Sequence, residues 1–290
     1  MAESTAPIDS LVQAINTVGS PACIGIDPVF DKLPRSLKLE GELEAIEMFS
    51  LKILDAIAGS AGVIKPQSAC FERYGSAGYA ILEKVIARGR ELGFVVILDA
   101  KRGDIGSSAT HYAVGAANMG AHFITVSPYM GPSSIEPFLD AGLGVFALAR
   151  TSNPDSDAVQ LQELKDGSRV THAISTMIAN MGTARLGTTG MSNLGAVVGA
   201  TKSSDDVRKL RSIMPNQMFL VPGVGAQGGT VTDVGPMTRS GAKAPGDLGV
   251  IVNASRSVIY AEPTGDQSWL SAIQAAAGTF AKDLKSLIPN

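Results

Sequence analysis

The chain has 290 residues, of which 45% are hydrophobic and 18% charged, with 32 glycines and a formal net charge of −3. This composition describes a compact core with many tight loops and excludes a disordered or coiled-coil chain, and the length suits one α/β barrel of about 250 residues plus insertions better than two small domains. The weak negative balance, with no Lys/Arg cluster and no run of about eighteen apolar residues, excludes nucleic acid and membrane as partners and leaves a small molecule.

In chain order, the start Met1-Ala2-Glu3-Ser4-Thr5 has neither a basic n-region nor an apolar h-region. With only Cys23 and Cys70, both in apolar or motif-like surroundings, the chain is expected in the cytoplasm with its thiols reduced. Short apolar runs predict strands over 22–26, 62–64, 94–98, 122–126, 144–148, 194–198, 218–221 and 248–252. Between them, apolar residues at helical spacing predict helices over 42–58, 77–91, 109–119, 172–180 and 205–213. Such alternation implies parallel strands joined by right-handed crossovers, and eight units close into a (β/α)8 TIM barrel, with an open doubly wound sheet as the structural alternative. Two connections exceed the usual length. The first, 151–193, reads as an insertion holding a small hairpin around Lys165-Asp166-Gly167-Ser168 and then the fifth helix. The second, 222–247, is rich in Gly, Thr and Pro and has the composition of a lid over a single-domain barrel.

Barrels of this kind carry their active site at the C-terminal ends of the strands. Polar residues follow six of the runs: Asp27-Pro28, Lys65-Pro66-Gln67, Asp99 with Lys101, Arg150-Thr151-Ser152-Asn153, the glycine-rich loop from Gly223, and Asn253-Ala254-Ser255-Arg256. The third is the densest, because Asp99-Ala100-Lys101-Arg102-Gly103-Asp104 puts two carboxylates and an amine into one turn. Alternation along an extended strand points Asp99 and Lys101 the same way, and Gly103 lets the chain turn and present Asp104. Holding these charges at the end of a buried strand costs desolvation energy that a surface ion pair avoids, which points to chemistry. Singly, the other ends have plain readings: Asp27 before proline starts a turn, and Lys65 snorkels from the rim to water.

The loop Gly223-Val224-Gly225-Ala226-Gln227-Gly228 matches GxGxxG, yet no acidic residue ends a following strand to hold a ribose and the loop lies late in the chain. A barrel phosphate site after strands seven and eight fits better, with Gln227 and Arg256 as directed donors. His111, His122 and His172 are scattered, so no zinc set emerges and no metal is expected. Ser107 and Ser108 follow the charged turn as N-cap candidates, and no Ser-His-Asp arrangement is supported. Phe71, Tyr74 and Tyr79 near Arg73, and Trp269, read as packing.

As a set, the strand-end residues resemble the orotidine 5′-phosphate decarboxylase family, which makes UMP from orotidine 5′-monophosphate (OMP). Its DxKxxD turn is matched by DAKRGDIGSSA from Asp99 to Ala109, and KPQSACFERYG from Lys65 looks like the longer bacterial subgroup. IGIDP, TSNP and PGVGAQGG extend the resemblance over most of the chain. It implies decarboxylation in pyrimidine biosynthesis with no cofactor. By resemblance Lys101 donates the proton to C6 and Asp99 lies against the departing carboxylate, while Lys65 and Asp27 hold the ribose and complete the charge network. Asp104 is implied to reach into a neighbouring subunit's site, giving a homodimer with shared active sites. Gln227 and Arg256 are implied to bind phosphate, and Ser152, or Thr151, the pyrimidine. Ser108 and Ser255 complete the substrate-binding set, Ser255 standing where many relatives have glycine. The nearest rival is a magnesium-dependent sugar-phosphate decarboxylase or aldolase, of the 3-keto-L-gulonate 6-phosphate type. It shares the charged turn but ends its second strand in a metal-binding glutamate, where this chain has Lys65. A non-catalytic phosphate-ligand barrel is the alternative from another class, and the intact Asp99, Lys101 and Asp104 argue against it.

Overall fold

The computed structural model describes residues 5–225 and 228–288. Eight parallel strands pair in sequence order and close into a barrel: β1 (Ala22–Ile26), β2 (Val63–Pro66), β3 (Val95–Arg102), β4 (Phe123–Val126), β5 (Gly144–Arg150), β6 (Ser192–Val198), β7 (Gln217–Val221) and β8 (Val250–Ala254), with β1 pairing both β2 and β8. The open-sheet alternative is thereby excluded. The α-helices are α1 (Pro7–Val18), α2 (Glu42–Ile57), α3 (Ala69–Glu72), α4 (Gly75–Glu91), α5 (Gly106–Asn118), α6 (Glu136–Asp140), α7 (Asp157–Gln160), α8 (Val170–Gly182), α9 (Ser204–Ile213), α10 (Val231–Val234), α11 (Arg256–Ile259) and α12 (Trp269–Asp283). Among the described residues no helix is long and apolar enough to cross a membrane.

Strand alternation divides the core into two layers. Val95 and Ile97 of β3 point into the barrel with Val63, Phe123, Phe146 and Ile251, while Val96 and Leu98 face the helices outside. The bottom of the interior is closed by α1, whose Ile8, Leu11, Val12 and Ile15 join the inner layer at helical spacing. Asp9 anchors that helix by accepting from the Thr188 and Thr189 backbone N–H groups and the Thr189 hydroxyl.

All eight predicted strands are present, but several run past their apolar segments. The extension takes Lys65, Asp99, Lys101, Arg150 and Asn253 into the strands themselves. A ladder needs only backbone groups, so polar side chains can continue it where the interior opens into a cavity. In 151–193 the expected hairpin is reduced to one antiparallel bridge, Glu163 to Arg169, between α7 and α8. The segment 222–247 divides: Val234 of α10 and Met237 beyond it are fully buried, whereas Ala226 and Gln227 lie outside the described residues. Neither Ser107 nor Ser108 caps α5, because the N-cap position belongs to Ile105 and both serines fall inside the first turn.

Candidate active site

The upper end of β3 carries a fully engaged carboxylate. Asp99 is 6% exposed; its Oδ2 accepts from Lys65 Nζ at 2.8 Å and Gln67 Nε2 at 3.3 Å, and its Oδ1 from Lys101 Nζ at 2.6 Å and the Thr125 hydroxyl at 2.8 Å. Val95, Ile97 and Asp99 follow the inward alternation of the strand, but Lys101 does not reach the site by that alternation. Its φ is +45°, in the left-handed region, where the β3–β4 register shifts between Leu98 and Arg102. This conformation is costly for a side chain with a Cβ and calls for surrounding support. Thr125 supplies some of it, accepting the Lys101 backbone N–H at 2.9 Å.

Electrostatics follow from this packing. Burial alone would push the Asp99 carboxyl up, but Lys65 and Lys101 outweigh it and hold the group well below the usual carboxylate range. Burial likewise works against a charged Lys65, and Asp99 together with Asp27 overcomes it, raising the Lys65 ammonium above its ordinary value. Asp99 and Lys65 are therefore a buried ion pair at neutral pH.

Above this pair opens a cavity of about 590 Å³. Asp27, Lys65, Asp99 and Lys101 line it from β1, β2 and β3, and Thr151, Ser152, Ser255 and Arg256 from the ends of β5 and β8. Leu148, Val197 and Leu220 give it an apolar side suited to a flat ring. Asp27 lines this cavity, and its Oδ1 is buried with no hydrogen-bond partner among the described residues. Asp104 and Ser108 do not line this chain's cavity: Asp104 accepts from the Ile105 N–H and Ser108 is exposed on α5. Gln227 lies outside the described residues.

The β5 loop separates the two hydroxyls that the sequence leaves open. Thr151 Oγ1 donates to Asn153 Oδ1 at 2.7 Å and accepts from Gln160 Nε2 at 2.9 Å, so it is committed to the loop's own structure. Ser152 Oγ has no hydrogen bond among the described residues. Beneath the loop, the buried Arg150 guanidinium bonds Asp206, Asp157 and Gln160. Ser255 turns its hydroxyl back over β1, where Asn253 Nδ2 donates to it at 3.4 Å and a Cβ on Gly25 would lie 1.8 Å from its Oγ. A glycine at position 25 thus makes room for the Ser255 side chain.

Sequence reasoning missed Thr125 and Gln160. Thr125 sits in an apolar run where a β-branched residue reads as strand propensity, although its inward register at the end of β4 was a usable signal. Gln160 ends α7, a four-residue helix that no periodicity announces. Among the described residues no three His, Cys, Asp or Glu side chains gather in a way that could hold a metal ion. His122 is instead structural: it accepts from the Val96 N–H, and burial, with Arg90 nearby, pushes it down to about 4.

Residues 43–267 match the model of the orotidine 5′-phosphate decarboxylase / HUMPS family. An orotidine 5′-phosphate decarboxylase of Rhodopirellula baltica is 37% identical, over 94% of this chain and 96% of its own. One of Roseiflexus castenholzii is 38% identical, over 93% and 92%. The solved structure of Leishmania donovani OMP decarboxylase superposes with a TM-score of 0.78 at 28% identity, covering 98% of both chains. With its barrel, its engaged aspartate and these likenesses, the chain belongs to the orotidine 5′-phosphate decarboxylase / HUMPS family.

Proposed function

We propose that this enzyme decarboxylates OMP to UMP in pyrimidine biosynthesis, without a cofactor. The observation that carries the reading is Asp99 clamped between Lys65 and Lys101 at the floor of the cavity. Breaking the C6–carboxylate bond releases CO2 and leaves an electron pair on a ring carbon. With nothing to delocalise that pair, a fixed ammonium must both stabilise it and supply the proton. Lys101 Nζ takes this role, and its bond to Asp99 keeps it in place until the proton moves to C6. Asp99 itself, ionised and immobile, faces the substrate carboxylate and disfavours the bound ground state, which departure of CO2 relieves.

The remaining roles follow the cavity. Asp27 and Lys65, which line the cavity, hold the ribose, with the Asp27 carboxylate accepting a hydroxyl. Ser152, whose hydroxyl is uncommitted, contacts the pyrimidine in preference to Thr151. Arg256 and Gln227 bind the phosphate, and Ser255 contributes beside Arg256. Phosphate binding draws the early part of 222–247 closed, so binding energy remote from C6 lowers the barrier. Val234 and Met237 in the later part of this segment are packed in the core. Asp104 and Ser108 serve a partner's site in a homodimer. The free thiols of Cys23 and Cys70 suit a reducing compartment, and we place the enzyme in the cytoplasm.

Magnesium-dependent chemistry is disfavoured by Lys65, whose ammonium already occupies Asp99 Oδ2, the oxygen a cation would use. The deciding measurement is CO2 release from OMP in excess EDTA, for the parent and for Lys101→Ala. Turnover unaffected by EDTA and lost by at least about a thousandfold in Lys101→Ala is expected. Loss in EDTA that magnesium restores, or full turnover in Lys101→Ala, sinks the proposal.

A further inference from the structure

We infer that Tyr260 is a positioning residue, which sets Asp27 for substrate and ties it to the helix that carries Arg256; this rests on the site reading above. Its hydroxyl accepts the Val29 N–H at 2.7 Å and donates to the Asp27 carbonyl at 2.9 Å. One oxygen thus holds both backbone groups flanking Pro28, a residue with no N–H of its own. The ring is fixed in turn. It stacks on Phe49 of α2 with centroids 5.7 Å apart and planes 11° from parallel, Phe49 stacks on Trp269 of α12 at 5.6 Å, and Lys32 Nζ lies 5.6 Å from the Tyr260 centroid. Burial raises the phenol above its ordinary pKa, which keeps the proton it donates.

The need for such a device comes from Asp27 itself. Asp27 Oδ1 is buried with no hydrogen bond among the described residues, so this oxygen contributes nothing to orienting the carboxylate. Its place must then be set through the main chain, where Tyr260 acts. Tyr260 directly follows α11, and its backbone N–H bonds the Arg256 carbonyl at 3.3 Å. The same residue therefore contacts the backbone of the ribose-side carboxylate and of the phosphate-side arginine. A change in the spacing between these two would pass through it.

A double-mutant cycle tests the inference, with kcat/KM on OMP and thermal midpoints for the parent, Tyr260→Phe, Asp27→Ala and the double variant. Tyr260→Phe keeps the stack and is expected to retain its midpoint within about 5 °C while losing about tenfold in kcat/KM. In the Asp27→Ala background the same change is expected to cost less than about twofold, because its route of action is gone. A merely structural role would cost the same in both backgrounds, and that result overturns the inference, as does unchanged kcat/KM in Tyr260→Phe. Unchanged kcat/KM in Asp27→Ala alone overturns the site reading itself and removes this inference with it. If Tyr260→Phe does not fold, the cycle is run through Phe49→Leu, which keeps the hydroxyl but frees the ring. It is expected to cost a few-fold only where Asp27 is present, and an equal cost without Asp27 overturns the inference.

Discussion

Asp99 is oriented before any substrate arrives, because Lys65, Gln67, Lys101 and Thr125 fill both of its oxygens. Removing its charge leaves the buried Lys65 without its hydrogen-bonded carboxylate, and Asp99→Asn should cost about 3–5 kcal/mol of stability at neutral pH. The sign of the pH dependence follows from the direction of the shift. A carboxyl lowered by folding stabilises above its unfolded value, 3.8, and loses that contribution as pH falls toward the folded one. Lys65, raised by folding, keeps its contribution up to its own unfolded value, 10.5. Urea midpoints of the parent and Asp99→Asn should therefore differ by a constant amount between about pH 5 and 9, and the gap should narrow as pH falls below about 4. An equal gap at pH 3 and pH 7 would contradict the account. The charges of this turn were legible in the sequence, since Asp, Lys and Asp at the end of an apolar run have few structural uses. The left-handed backbone of Lys101 was not, because it arises from the register shift against β4 and leaves no mark in residue type.

At the scale of elements, close approach between neighbouring strand ends decides where the substrate-facing loops lie. A Cβ on Gly199, just past β6, would come 2.7 Å from Ser152 Cα and 2.8 Å from its nitrogen, both backbone atoms that cannot swing aside. Gly199→Ala should therefore displace the Ser152 loop and raise KM for OMP by about tenfold, the scale of one to two lost directed contacts. Gly278→Ala, in α12 with nothing within 4 Å of the added methyl, is the control and should leave KM unchanged. Equal KM in the two variants would remove the steric account. The eight strands and five of the helices were legible because burial on both faces writes β-rich runs, and one-sided burial writes helical spacing. The bottom-closing α1 carries the same signal at Ile8, Leu11, Val12 and Ile15, but it stands before the first strand, outside the βα rhythm that organised the reading. The short α7 is held where its Gln160 accepts from the Arg150 guanidinium and the Thr151 N–H, bonds to the end of β5 that no periodicity conveys.

For the whole molecule, the place of Asp104 decides whether one chain is a complete enzyme. Its carboxylate turns to the Ile105 N–H and away from its own chain's cavity, at a rim that also presents Ile105, Tyr112, Tyr129 and Met130, with Tyr129 86% exposed. Large apolar side chains left to water around an unused charged residue suit a two-fold interface, where the same surface meets its copy. If the sites are shared, Lys101→Ala and Asp104→Ala damage different halves of each site. Each variant alone should be inactive by at least about a hundredfold. Unfolded, mixed in equal amounts and refolded, half of the dimers pair one variant with the other, and each such dimer regains one intact site of two. The mixture should then recover about one quarter of the parental turnover, a fraction fixed by the symmetry and not by the strength of any contact. Sedimentation velocity on the same samples checks that dimers form. No recovery in a proven dimer would mean that Asp104 serves its own chain, and full turnover by a proven monomer of the parent would remove the shared site altogether.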